Sequence, residues 1–290
     1  MLGRSNLARA VEAGNVRLAT ADYSFPLLEW PQAVRLASEL AFQGIDISVF
    51  QGRSHLKPEE VLAKPSAWGA RVRKTLNDNG LEVADVFGIP GTRFDEAAPN
   101  HPSTAERAVA KEYFHRLLEF ALRCGAKHMT ILPGIHFETE DREDSLKRCA
   151  EELQWRSTAA RALGICFAVE AHTGSILATP ALTQRLLELA PDLTLTLDPG
   201  HFAYQGVADT DILPLIGRAS HFHARCGCPG KLQAPLTENS IDFAAYVRAF
   251  RARGYAGWLA VEYVWIDWER CNEVDILSET ILLRNLLRSF

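Results

Sequence analysis

The stretch DSLKRCAEELQWRSTAARALGICFAVEAH, Asp144 to His172, holds one complete unit of the fold. Asp144 to Leu163 reads as a helix, Gly164 stops it, and Cys166 to Glu170 is a short apolar strand followed by Ala171 and His172. Glycine is the expected residue just past a helix, because it enters the left-handed backbone region without a Cβ clash. The unit recurs in both directions. Upstream, Val16 to Thr20 is an apolar run, and Trp30 to Phe42 reads as a helix ended at Gly44, with Val34, Leu36, Ala37, Leu40 and Ala41 giving it a broad apolar face. Ile45 to Phe50 is the next strand. Ser66 to Asn79, Gly80 and Leu81 to Phe87 repeat the pattern, as do Ser103 to Cys124, Gly125 and Lys127 to Leu132. Downstream, Pro180 to Leu189 precedes Leu193 to Asp198, and Asp211 to Ile216 precedes Ala219 to Ala224. Ile241 to Arg253, stopped by Gly254, precedes Trp258 to Glu262, and Ile276 to Leu287 is the last helix.

Strands that alternate with helices pair in parallel, and eight such units predict closure into an α/β fold, the (β/α)8 TIM barrel. An open doubly wound sheet needs fewer strands and usually a glycine-rich phosphate turn after the first. Here the segment Ala21-Asp22-Tyr23-Ser24-Phe25-Pro26 has no glycine. No linker or low-complexity segment interrupts the pattern, so residues 1–290 read as a single barrel domain; such a barrel takes about 250 residues. Two long loops, Gly88 to Pro102 and Cys226 to Ser240, read as lids or binding segments.

Hydrophobic residues make up 47% of the chain, enough for a large core. The 31 Lys and Arg against 36 Asp and Glu leave a net charge of −5. That balance is unsuited to gripping nucleic acid, whose affinity comes mainly from Lys and Arg on phosphates. Cys124, Cys149, Cys166, Cys226, Cys228 and Cys271 read as free thiols of a reducing, cytoplasmic compartment. Cys226 and Cys228 form a C-x-C, not the C-x2-C of a zinc knuckle. Met1 to Val16 lacks an apolar core and carries Arg4, Arg9 and Glu12, which argues against a secretory leader. No apolar stretch is long enough to cross a membrane.

In a TIM barrel the chemistry lies where strands end and βα loops begin. The fifth strand ends at Glu170, the sixth at Asp198 before Pro199-Gly200-His201, the seventh carries His221-Phe222-His223 and then Arg225, and the eighth ends at Glu262. Closure brings these ends to one rim. Three carboxylates held together repel one another and drive protonation unless a cation neutralises them. Oxygen donors with one imidazole suit Mn²⁺, Mg²⁺, Co²⁺, Fe²⁺ or Zn²⁺, and the softer imidazole favours manganese over magnesium. Taken singly, Asp198-Pro199-Gly200 is also good turn chemistry, and a lone histidine is more often structural than a ligand. The joint pattern on successive strands carries the metal expectation.

The stretches Val169-Glu170-Ala171-His172, Leu197-Asp198-Pro199-Gly200-His201, His221-Phe222-His223 and Leu259-Ala260-Val261-Glu262 resemble the xylose isomerase-like TIM barrels, the sugar phosphate isomerases and epimerases. The group includes ketose 3-epimerases, hydroxypyruvate isomerase and inosose dehydratase, with endonuclease IV more distant. The resemblance implies one divalent metal ion held by Glu170, Asp198, His223 and Glu262, with Glu170 and Glu262 as the catalytic acid/base pair. It places His172 and His201 beside the metal, against substrate hydroxyls. It also implies a small carbohydrate as partner, and dimers or tetramers are common in the family. Two departures argue against a free-ketose 3-epimerase: Ile176 stands where those enzymes carry a further Glu, and Arg225-Cys226 where they carry Gly-Glu.

The chemistry expected is isomerisation or epimerisation of a sugar, sugar phosphate or keto-polyol through an enediolate. A carboxylate removes the proton next to the carbonyl and returns one, with the cation as Lewis acid. Arg225 and Lys231 are candidates to hold a phosphate or carboxylate of the substrate. His136 and Glu138 after the fourth strand, and Trp265 and Trp268 after the eighth, are candidate pocket residues. A dehydratase or lyase acting on inososes, 3-dehydroshikimate or 3-keto-glycosides would use the same enolate to expel a leaving group. An AP-endonuclease-like repair enzyme needs extra histidines from the early strands, where this chain offers Asp46, Ser48 and Asp85. A non-catalytic barrel has no use for clustered carboxylates.

Overall fold

The strands are short and almost wholly buried, as strands covered on both faces must be. In the computed structural model, which describes residues 16–290, they are β1 (Arg17–Ala21), β2 (Gly44–Phe50), β3 (Glu82–Ile89), β4 (His128–Ile131), β5 (Cys166–Glu170), β6 (Thr194–Leu197), β7 (Ala219–Ala224) and β8 (Trp258–Val261). They pair in sequence order, all parallel, and β8 closes on β1 from Arg17 opposite Trp258 to Thr20 opposite Val261. The outer layer follows in chain order: α1 (Trp30–Glu39), α2 (Pro58–Ala63), α3 (Pro65–Asp78), α4 (Thr104–Cys124), α5 (Arg142–Ala162), α6 (Pro180–Leu189), α7 (Gly200–Tyr204), α8 (Asp209–Ile212), α9 (Phe243–Ala252) and α10 (Ile276–Ser289). The expected (β/α)8 barrel is the observed fold. The leader expectation drawn from Met1 to Val16 falls on residues 1–15, outside the described ones. Among the described residues no helix is long and apolar enough to cross a membrane, and the six cysteines are free.

Polar side chains begin several of the helices. Asp141 accepts from the amides of Glu143 and Asp144 at the start of α5, and Thr179, Asp242 and Asp275 cap α6, α9 and α10. Gly80, Gly125, Gly164 and Gly254 all have positive φ where helix stops were expected. Gly44 does not. Ala41 takes the left-handed turn instead (φ 57°), and Gly44 is the first residue of β2. A Cβ there would lie 2.8 Å from the Trp258 ring, so the glycine serves close packing across the barrel. Helices α2 and α7 were not legible in the sequence, because one or two turns are too short to show a period.

Contacts between non-neighbouring strands cross the barrel interior, and several are polar. Thr130 on β4 hydrogen-bonds Thr196 on β6 (2.6 Å), His128 on β4 meets Ser220 on β7 (2.8 Å), and Asp46 on β2 meets His221 on β7 (3.0 Å). Such barrels are more often filled by branched aliphatic side chains. The apolar core here lies mainly between the strands and the helical layer.

Candidate metal centre

Four strand ends converge at the C-terminal mouth. Glu170 is the last residue of β5, Asp198 and Glu262 come one residue past β6 and β8, and His223 lies in β7. Each offers one ligand atom, and the four atoms lie within 4.8 Å of one another. None of the four residues exceeds 5% exposure. His223 Nδ1 lies 2.7 Å from Glu170 Oε1 and 3.4 Å from Glu262 Oε1. Its Nε2 lies 3.4 Å from Asp46 Oδ2, which also meets His221 Nε2 at 3.0 Å. Tyr23, just past β1, donates its hydroxyl to Glu262 Oε1 (2.6 Å), and the Gly200 amide at the start of α7 donates to Asp198 (2.7 Å).

The carboxylates of the cluster are short of positive charge. Burial raises Glu170 to about 7 although His223 bonds it, and Glu262 and Asp198 add to the rise. Burial likewise raises Asp198, against the pull of Arg225. Burial disfavours charge on His223, but Glu262, Asp46 and Glu170 overcome it and hold its value well above the ordinary one. Burial, helped by the nearby Arg225, keeps His172 and His201 neutral, His172 at about 4, although His201 Nε2 lies 3.5 Å from Asp198 Oδ2. Arg225, also buried, donates to Asp198 and to Nε2 of His201 (3.0 Å), and lies 3.7 Å from Glu262.

A family profile described as Xylose isomerase-like TIM barrel matches residues 34–284. The chain belongs to this family. Its structure superposes on D-psicose 3-epimerase with a TM-score of 0.74 at 17% identity, covering 94% of this chain and 99% of that one. The E. coli 3-keto-D-glucoside 4-epimerase YcjR gives 0.69 at 15%, covering 95% and 100%. The probable 3-DHS dehydratase AsbF of Bacillus anthracis gives 0.68 at 14%, covering 93% and 99%. At these identities the likeness carries the fold alone. Among curated proteins no sequence matches significantly.

The quartet of this xylose isomerase-like barrel suits a divalent cation on chemical grounds. Three carboxylates and one imidazole are a hard-to-borderline donor set. Glu262 Oε2 is buried without a hydrogen-bond partner, and buried polar atoms are rarely left so. His223 turns Nδ1 to the quartet and Nε2 to Asp46, the arrangement by which a carboxylate orients a ligating imidazole.

Of the quartet, Glu170 and Glu262 line the pocket above it, together with His172, His201 and Arg225, while Asp198 and His223 lie outside its lining. Two other expected substrate contacts are not brought there. Lys231 is exposed and ion-paired with Glu238, and His136 is absent from the lining. Glu138 is exposed, Trp265 is 42% exposed, and Trp268 does line the pocket. Arg225, expected to await a substrate anion, is turned onto the protein's own Asp198 and Glu262 because they are its nearest counter-charges. Of the long loops, 88–102 supplies Ile89 and Phe94. The loop 226–240 works at one remove: Gln233 bonds the Val264 backbone and the Cys271 carbonyl, bracing the segment that carries Trp268. Tyr23, Phe50, Arg53 and Phe87 complete the wall. Tyr23 and Arg53 follow strands one and two, so the strand-end rule is the signal by which the sequence marks them.

Proposed function

We propose that the protein is a divalent-metal-dependent isomerase or epimerase of a sugar, sugar phosphate or keto-polyol, working through an enediolate. The observation that carries this is the division of the quartet: its two glutamates face the pocket, and Asp198 and His223 stay behind them. A cation held by Glu170, Asp198, His223 and Glu262 supplies Lewis-acid stabilisation for negative charge that develops on substrate oxygens. Glu170 and Glu262 are the groups able to take a proton from the carbon next to a carbonyl and return one. Tyr23 keeps its proton, because burial and the neighbouring Glu262 hold its value well above 10, and it fixes the Glu262 carboxylate by hydrogen bond. His172 donates Nδ1–H to the Thr173 carbonyl (2.5 Å), which leaves Nε2 as a buried acceptor for a substrate hydroxyl. The apolar wall of Phe50, Phe87 and Trp268 keeps water from the reacting carbon.

The test is metal content of the purified protein, of Glu170→Gln and of Glu262→Gln, with solvent deuterium uptake into a panel of ketoses, inososes and 3-keto-glycosides. About one ion per chain, as a mononuclear site requires, with uptake abolished by either substitution, is expected. Absence of metal after reconstitution with Mn²⁺, Co²⁺ or Zn²⁺ sinks the site. Metal-dependent loss of water or of an aglycone, in place of deuterium uptake, assigns the dehydratase or lyase chemistry instead.

A further inference from the structure

The pocket contains one positive charge that the proposed chemistry leaves unused. Arg53 follows β2 and lines the pocket beside Phe50, its guanidinium carbon 5.2 Å from the ring centroid. Among the described residues it forms no ion pair, whereas Arg225 is held by Asp198 and Glu262 and Lys231 by Glu238.

Arg53 is thus a pocket-lining cation without a carboxylate partner among the described residues, with its guanidinium over the Phe50 ring. A guanidinium resting on an aromatic face keeps its planar N–H fork free for two parallel hydrogen bonds to a carboxylate or phosphate. A neutral sugar offers it only hydroxyl and carbonyl oxygens, which bind the fork more weakly than a charge-assisted pair.

We propose that Arg53 receives an anionic group of the substrate, a phosphate or a carboxylate, so that the enzyme acts on an acidic sugar derivative and not on a free ketose. This rests on the metal-dependent reading of the pocket.

The experiment is calorimetric titration of the metal-loaded protein with D-fructose, D-fructose 6-phosphate, D-glucuronate and inorganic phosphate, in wild type, Arg53→Gln and Arg53→Lys. Binding is read as heat, so turnover is not needed. At least one anionic sugar is expected to bind wild type about tenfold tighter than fructose. Arg53→Gln removes that advantage and leaves fructose binding unchanged. Arg53→Lys keeps only part of it, because an ammonium lacks the fork. The stronger of the phosphate and carboxylate sugars identifies the group. Equal affinities for charged and neutral sugars in wild type, or an anion preference that survives Arg53→Gln, overturn the proposal. Arg53-dependent anion binding without deuterium exchange into any sugar leaves this assignment standing and removes the catalytic one. Exchange into neutral ketoses with KM unchanged in Arg53→Gln does the reverse.

Discussion

His223 is the residue on which the site's geometry turns, and Asp46 fixes how it points. With Nδ1 facing Glu170 and Glu262, its Nε2 faces the Asp46 carboxylate. Asp46 is fully buried; burial pushes its value up, and His221 and His223 overcome that and hold it below the usual carboxylate range. Asp46→Asn keeps the size and removes the charge that orients the imidazole and raises its basicity. Metal affinity, measured by competition with a chromogenic chelator, is expected to fall by about 10- to 100-fold. The same affinity as wild type would show that His223 needs no partner. The convergence of Glu170, Asp198, His223 and Glu262 was legible in the sequence because strand ends of a closed barrel meet at one rim. The contact of Asp46 with His223 was not, since it crosses the barrel from β2 to β7 and no spacing along the chain encodes it. Arg53 escaped for another reason: nothing in a single arginine tells whether a counter-charge lies beside it.

At the scale of elements, the helix-glycine-strand period gave strand positions to within a residue or two, because each glycine stop resets the reading. It failed where a glycine served packing. Gly69 is another such case, inside α3, where propensity alone would favour alanine by about 1 kcal/mol. A Cβ at Gly69 would lie 2.5 Å from the Arg123 Cβ and 2.9 Å from the Cys124 amide nitrogen at the end of α4. Backbone cannot swing aside as a side-chain tip can, so the two helices must part. Gly69→Ala is expected to destabilise by about 1–3 kcal/mol, the cost of overpacking outweighing the propensity gain. Urea unfolding checks the sign: a more stable Gly69→Ala protein would mean that the α3–α4 contact yields freely.

The whole barrel carries a second buried charge system, at the end away from the mouth, and it sets how stability responds to alkali. His128 on β4 has Nδ1 2.7 Å from Asp85 of β3 and Nε2 2.8 Å from Ser220 of β7. Ser220 spends its own hydrogen on Thr194 of β6 (2.7 Å), and Thr194 spends its hydrogen on the Phe167 carbonyl. Both ring nitrogens of His128 therefore donate, and the ring is an imidazolium. His221 stacks on it with ring centroids 5.1 Å apart, and Cys166 is its strand partner on β5. Burial disfavours that charge, but Asp85 outweighs burial and holds His128 at about 9. A folded value above the unfolded one of about 6.5 stabilises fully below pH 6.5, and the contribution is lost as pH rises through about 9; its size is on the order of 3 kcal/mol. Cys166 acts in the opposite sense. It is exposed at the strand start; partial desolvation raises its thiol and His128 more than offsets that, to about 7, so its thiolate adds stability as pH rises. Cys166→Ser removes this opposing contribution. In that background the unfolding free energy from urea titration is expected to fall between pH 7 and 9.5. In Cys166→Ser/His128→Gln it should start lower and fall less over the same range, the remaining fall coming from the thiols of Cys124, Cys149, Cys226 and Cys271, which burial holds above their unfolded value. Parallel curves for the two proteins would place the alkaline loss in other groups and leave His128 neutral in the folded barrel.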